Sequence, residues 1–112
     1  MRFIDIRRNI QLELYRLIRG PSFAVHGVSV EVPRSVGIEL RYNLMRERYE
    51  NDEAELIRKY VSRGCNVVEL GGSLGIVSRV IRDTIGPGAV HIVVEANPDL
   101  VEICAQNAIV EP

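Results

Sequence analysis

Two carboxylates and a glycine-rich turn are the residues of this chain that could do chemistry. Asn66-Val67-Val68-Glu69-Leu70-Gly71-Gly72-Ser73-Leu74-Gly75-Ile76-Val77-Ser78 reads as an apolar strand ending in an acid, then a turn, then the start of a helix. Val90-His91-Ile92-Val93-Val94 reads as a second strand, ending in its own acid, Glu95. Residues without a Cβ are favoured where the backbone takes positive φ or comes close to a ligand, and Gly71 and Gly75 bracket this turn. The amides that open a helix lack partners inside it and point into such a turn. Two strand-end acids flanking one glycine turn make a nucleotide or nucleoside site.

The charge of those acids separates the candidate ligands. The dinucleotide fingerprint is G-x-G-x-x-G, whereas the order here is E-x-G-x-x-x-G with Gly72 and Ser73 inside it. Unit charges about 4 Å apart interact by about 4 kcal/mol at an effective dielectric of about 20. Glu69 at the mouth of the turn would therefore repel a pyrophosphate and attract the ammonium of an amino-acid moiety beside a sulfonium, which favours S-adenosylmethionine. Glu95 stands where an acid accepts hydrogen bonds from ribose hydroxyls, a role that fits either ligand. A nicotinamide-dinucleotide-binding oxidoreductase half-domain is the alternative. A third reading is a non-catalytic remnant of such a site, acting as an interaction module through an arginine-rich first helix.

The elements that must position these residues follow from periodicity. Phe3, Ile6, Ile10, Leu14 and Leu17 recur three or four apart, which predicts an amphipathic helix over residues 3–18, ended by Gly20-Pro21. Arg2, Arg7, Arg8, Arg16 and Arg19 lie on or near it. Such a helix can lie on an anionic membrane surface; packing on its own domain or on a partner chain is the expectation preferred. Alternating Val28, Val30 and Val32 around His26-Gly27 predict a hairpin between Phe23 and Val32. Ser35 is expected to cap a short helix through Leu44, with Val36, Leu40 and Leu44 on one face. Asn51 or Asp52 caps a helix whose acids suit its positive end, with Leu56, Ile57, Tyr60 and Val61 inward and Gly64 as the stop.

Beyond the glycine turn, a helix is expected from about Ser73 to Ile85 with Ile76, Val77, Val80 and Ile81 inward. Asn97-Pro98 caps the next one, its inner face being Leu100, Val101, Cys104 and Ala108. Strand-helix-strand-helix order from Asn66 predicts an α/β fold with a parallel sheet and right-handed crossovers.

Bulk properties exclude several classes. A chain of 112 residues is one domain or a piece of one. Its net charge of −1 gives no footprint for nucleic acid. No apolar run approaches the roughly 18 residues of a membrane span, and Asp5, Arg7, Arg8, Gln11 and Glu13 break any signal-peptide core. Cys65 and Cys104, each beside apolar residues, are expected to be buried free thiols in a reducing, cytoplasmic compartment. His26 and His91 are read as structural, with no acid or serine near enough to make either a base, and no metal site is expected.

Taken in order, Arg48-Tyr49-Glu50, the acidic helix, Gly64 to Gly75, Gly86-Pro87-Gly88, Glu95-Ala96-Asn97-Pro98 and Asn107 resemble the N-terminal half of FkbM-type methyltransferases. The resemblance spans roughly residues 22–109. It implies the N-terminal portion of a Rossmann-like class I fold, with S-adenosylmethionine as cofactor and O-methylation of a sugar or other small hydroxylated acceptor. Residues 1–20 would then be an N-terminal helix, and residues 21–112 part of the cofactor-binding domain.

By position, Glu69 and the Gly71, Gly72, Ser73 and Gly75 turn would hold the methionine part, and Ser78, in the helix that follows, is also placed among the cofactor-binding residues. Glu95 would hold the ribose beside Ala96 and Asn97, and Tyr49 and Glu50 would close over the cofactor. Gly72-Ser73-Leu74 departs mildly from the family's usual Ala-Asn-Ile. Because the family's fold has about seven strands and this chain reaches only the second core strand, the acceptor site and general base are expected beyond Pro112. No catalytic residue is therefore assigned, and self-association or a missing C-terminal half is the expected partner.

Overall fold

The computed structural model describes residues 2–49 and 51–109, and the chain divides into two units, Met1–Tyr49 and Glu50–Pro112. The described residues form an α/β arrangement of five helices, one antiparallel pair of strands and one parallel pair.

In the first unit, helix α1 (Phe3–Arg19) is followed by strands β1 (Phe23–Val25) and β2 (Val28–Val30), then helix α2 (Ile38–Met45). The hairpin closes through His26 at φ 53° and Gly27 at φ 78°, the two positive angles of a type I′ turn. Its alternation buries Phe23, Val25, Val28 and Val30 on one face, with Leu12 and Leu44 completing the core. Tyr15 stacks on Phe23 with ring centroids 5.6 Å apart. Helix α2 starts later than the expected Ser35 cap. The Val36 amide is taken by the Pro33 carbonyl at 3.0 Å, so a turn closes first, and the helix opens after Gly37 with no side-chain cap.

In the second unit, helix α3 (Asn51–Tyr60) leads to strand β3 (Val67–Leu70), helix α4 (Ile76–Ile85), strand β4 (His91–Val94) and helix α5 (Pro98–Ala108). Strands β3 and β4 pair in parallel, Val67 opposite His91 through Leu70 opposite Val94. Helix α4 opens at Ile76 rather than Ser73; it buries Ile76, Val77, Val80 and Ile81, as its spacing predicts, and Ile85 with them. Val77, Ile81, Ile85 and Ala89 form a core cluster against which Ile57, Val61 and Val67 pack. The Asn97 side chain accepts from the Asp99 amide and Pro98 takes the first helical position, the expected start of α5.

Four expectations are corrected. Leu56 and Tyr60 of α3 are exposed. The inward residues are instead Ala54, which is buried, with Ile57 and Val61, which pack on the core cluster. Val101 is exposed, and α5 turns Cys104 and Asn107 inward. Cys65 is exposed, since it lies in the turn between α3 and β3; only Cys104 is a buried thiol, and both are free. His91 does have an acid beside it, for Val67, Glu69, His91 and Val93 share the inward parity of the paired strands.

Candidate functional site

Parallel strands β3 and β4 end side by side, and the Gly71 amide continues their pairing onto the Val94 carbonyl at 2.7 Å. The glycine turn therefore sits at the carboxyl ends of the strands, where open α/β sheets bind ligands. Gly71, Ser73 and Gly75 all take positive φ, at 84°, 50° and 83°.

The three glycines do different work. A Cβ on Gly75 would stand 2.5 Å from the Cys104 carbonyl oxygen, and one on Gly72 would meet Val93 Cγ1 at 2.5 Å and Cys104 Sγ at 2.6 Å. These two positions are small because α5 and β4 press on the turn. A Cβ on Gly71 would meet nothing within 4 Å, so this residue fronts open space. Asn107 Nδ2 donates to the Leu74 carbonyl at 2.9 Å and ties α5 to the turn from within.

Glu95 closes the turn from the second strand. Its carboxylate accepts from the Ser73 amide at 2.6 Å and from the Asn97 amide at 2.9 Å. Those amide donors, Asn97 first, hold its pKa below the ordinary carboxylate value. An ionised carboxylate thus occupies a backbone donor of the turn. Ala96 and Asn97, beyond it, are exposed.

Glu69 sits differently from the placement its sequence position suggests. Ser78 Oγ donates to both of its carboxylate oxygens, at 2.8 and 2.6 Å, and its side chain is 8% exposed. Burial raises its pKa against the opposing effect of the Ser78 hydrogen bond. His91 Nε2 stands 3.7 Å away, too far for a hydrogen bond, and has no such partner among the described residues. Burial also lowers the His91 pKa, as does the charge of Arg82. Cys104 Sγ lies 3.6 Å from Ser78 Oγ, and its thiol pKa is raised chiefly by burial. This buried group links β3, β4, α4 and α5 beneath the turn. Ser78, expected among the cofactor-binding residues, is wholly buried beneath the turn with its hydroxyl given to Glu69.

Of the remaining candidate residues, Tyr49 belongs to the first unit, where its carbonyl accepts from His26 Nε2. Glu50 lies outside the described residues. A hollow of about 40 Å³ in the first unit, lined by Leu12, Tyr15, Phe23, Arg34 and Arg41 among others, has room for a few waters and no nucleoside. Among the described residues, no three His, Cys, Asp or Glu side chains gather to hold a metal ion.

The sequence reading missed the packing role of Gly72 and Gly75 and the burial of His91 against Glu69. Strand parity is the signal that could have placed these two together, but Val67, Val68, Leu70, Ile92, Val93 and Val94 make both faces apolar, so the inward face has no mark. Compared with known proteins, the chain matches no family model, no curated protein and no solved structure.

Proposed function

We propose that the second unit is the cofactor-binding part of an S-adenosylmethionine-dependent methyltransferase of the FkbM type, with a Rossmann-like class I fold. The methyl acceptor on this reading is the hydroxyl of a sugar or other small molecule. The observation that carries it is the Glu95 carboxylate on the Ser73 amide, 2.6 Å apart. In a dinucleotide site the turn amides receive a pyrophosphate. Here an anion already holds one of them, and a second anion brought to the same amides would be repelled by it. S-adenosylmethionine brings no phosphate to that position.

The donor set fits the cofactor. Glu95 has lone pairs left for ribose hydroxyls after its two amide bonds. Gly71 offers a face without a side chain, with no described atom within 4 Å of where a Cβ would stand, for the methionine part to approach. Glu69 enters as the group that holds Ser78, and with it the start of α4, rather than as an open anion. When bound, the cofactor supplies an electrophilic methyl group on a sulfonium. The chain's own residues bind and orient it, and no base for the acceptor hydroxyl is assigned. The free thiols Cys65 and Cys104 agree with a cytoplasmic setting.

Replacing Glu95 by Gln tests the reading. The variant keeps the size of the side chain and loses the charge that accepts from ribose, so affinity for S-adenosylmethionine should fall about tenfold or more in calorimetric titration. An unchanged affinity in a variant that remains folded would remove Glu95 from the site.

A further inference from the structure

Helix α1 carries an apolar surface that its own unit does not use. At about 100° per residue, Phe3, Ile6, Ile10, Leu14 and Leu17 fall within about 40° of one line along the helix. They are 90%, 45%, 57%, 53% and 83% exposed. The docked side lies on the far side of the cylinder. Leu12 is buried there, the Arg8 guanidinium sits 5.3 Å over the Tyr42 ring, and Tyr15 stacks on Phe23. The stripe, about 21 Å long at about 1.5 Å per residue, therefore faces away from α2 and the hairpin.

Charge identifies what it faces. Residues 2–19 hold five arginines and two acids, a net +3 in a chain of net −1, which leaves −4 for the rest. Both acids are already compensated, Asp5 by Arg2 at 3.1 Å and Glu13 by Arg34 at 3.2 Å. Arg7 borders the stripe on one side and Glu13 on the other, while Arg16 and Arg19 fall toward the docked side of the cylinder, where Arg16 lines the hollow of the first unit. Arg7, Arg16 and Arg19 make no ion pair among the described residues. A second copy of this helix would bring another +3 against the first. An anionic lipid surface instead receives both features, the stripe at the acyl boundary and, among the headgroups, Arg7 and the net positive charge of the helix.

We infer that α1 seats the chain reversibly on an anionic membrane surface. It lies on that surface and does not cross it, since among the described residues no helix is long and apolar enough to span a bilayer. This inference does not depend on the cofactor reading of the second unit.

The test is flotation of the full chain with vesicles of phosphatidylcholine alone, or of phosphatidylcholine with phosphatidylserine. Binding is expected to the anionic vesicles only and to weaken as salt is raised. Leu14→Glu with Leu17→Glu should weaken it about tenfold or more without unfolding the chain, because both side chains are largely exposed. Arg7→Gln should weaken it and flatten the salt dependence. The inference is overturned by no binding, by equal binding to both vesicles, or by a charge-removing variant that binds as the parent does. A dimer in vesicle-free solution that the Leu14→Glu, Leu17→Glu variant dissociates would overturn it by assigning the stripe to a second copy.

Discussion

Helices α1 and α4 are both amphipathic, yet they spend their apolar faces in opposite ways. Helix α4 buries Ile76, Val77, Val80, Ile81 and Ile85, whereas α1 buries only Leu12 and turns its apolar stripe outward. The charges of the two units differ in the same sense. The first holds nine basic and five acidic residues, net +4, and the second five basic and ten acidic, net −5. An apolar period of 3.6 shows that a helix has a greasy side. What that side touches is decided by its neighbours. In α4 the neighbours are α3, α5 and the core cluster, and the face is structural. In α1 the neighbours lie on the other side, and the apolar stripe stays exposed.

The sharpest contrast inside the second unit is between two glycines of equal φ. Gly75→Ala adds a methyl 2.5 Å from the Cys104 carbonyl oxygen as well as left-handed strain, and should cost about 2–6 kcal/mol in urea unfolding. Gly71→Ala meets no atom and should cost about 1–2 kcal/mol, from its φ alone. Equal losses would mean that α5 does not press on the turn.

The contrast between the helices is tested by truncation. Ile81→Ala in α4, where the side chain is 4% exposed, should lose about 2–5 kcal/mol. Leu17→Ala in α1, at 83% exposure, should stay within about 0.5 kcal/mol in vesicle-free solution. A large loss at Leu17 would mean that its stripe is packed after all.

A smaller effect concerns the buried carboxyl. Burial raises the folded pKa of Glu69 above its ordinary 4.5, so the folded protein holds that proton more tightly than the unfolded chain. Stability is therefore lost as pH rises from about that ordinary value through the raised one. His91, with a lowered pKa, acts in the opposite sense, since stability is gained as pH rises through its range toward the ordinary 6.5. Glu69→Gln removes the first effect and retains an acceptor for Ser78. Its stability relative to the parent should rise with pH across the Glu69 window, by a few tenths to about 1 kcal/mol after solvent screening. Parallel pH profiles would show Glu69 to be less buried than its 8% exposure indicates.

Much of the element order was legible because its signals are local. The spacing of Phe3 to Leu17, the His26-Gly27 turn, the Gly71 to Gly75 turn and Asn97-Pro98 each mark their element from within a few residues. Features set by distant contacts were not legible. Ala54 has too little hydrophobic signal to announce that it, and not Leu56 or Tyr60, faces inward. Ser35 is a good cap residue overtaken by the Pro33–Val36 turn. At the candidate site, Glu95 and the turn were readable, but the roles of Gly72 and Gly75 depend on Cys104, roughly thirty residues away in sequence. Glu69 and His91 meet only because strand register places them on one face.

The central claim is that the turn and Glu95 form a site for a phosphate-free nucleoside. Its most direct test is calorimetric titration of the 112-residue chain with S-adenosylmethionine and, separately, with NAD. The account predicts saturable binding of S-adenosylmethionine at one site, tighter than NAD by about tenfold or more, the repulsion being reduced from its full Coulomb value by solvent and salt. Binding of NAD as tight as, or tighter than, that of S-adenosylmethionine would contradict it.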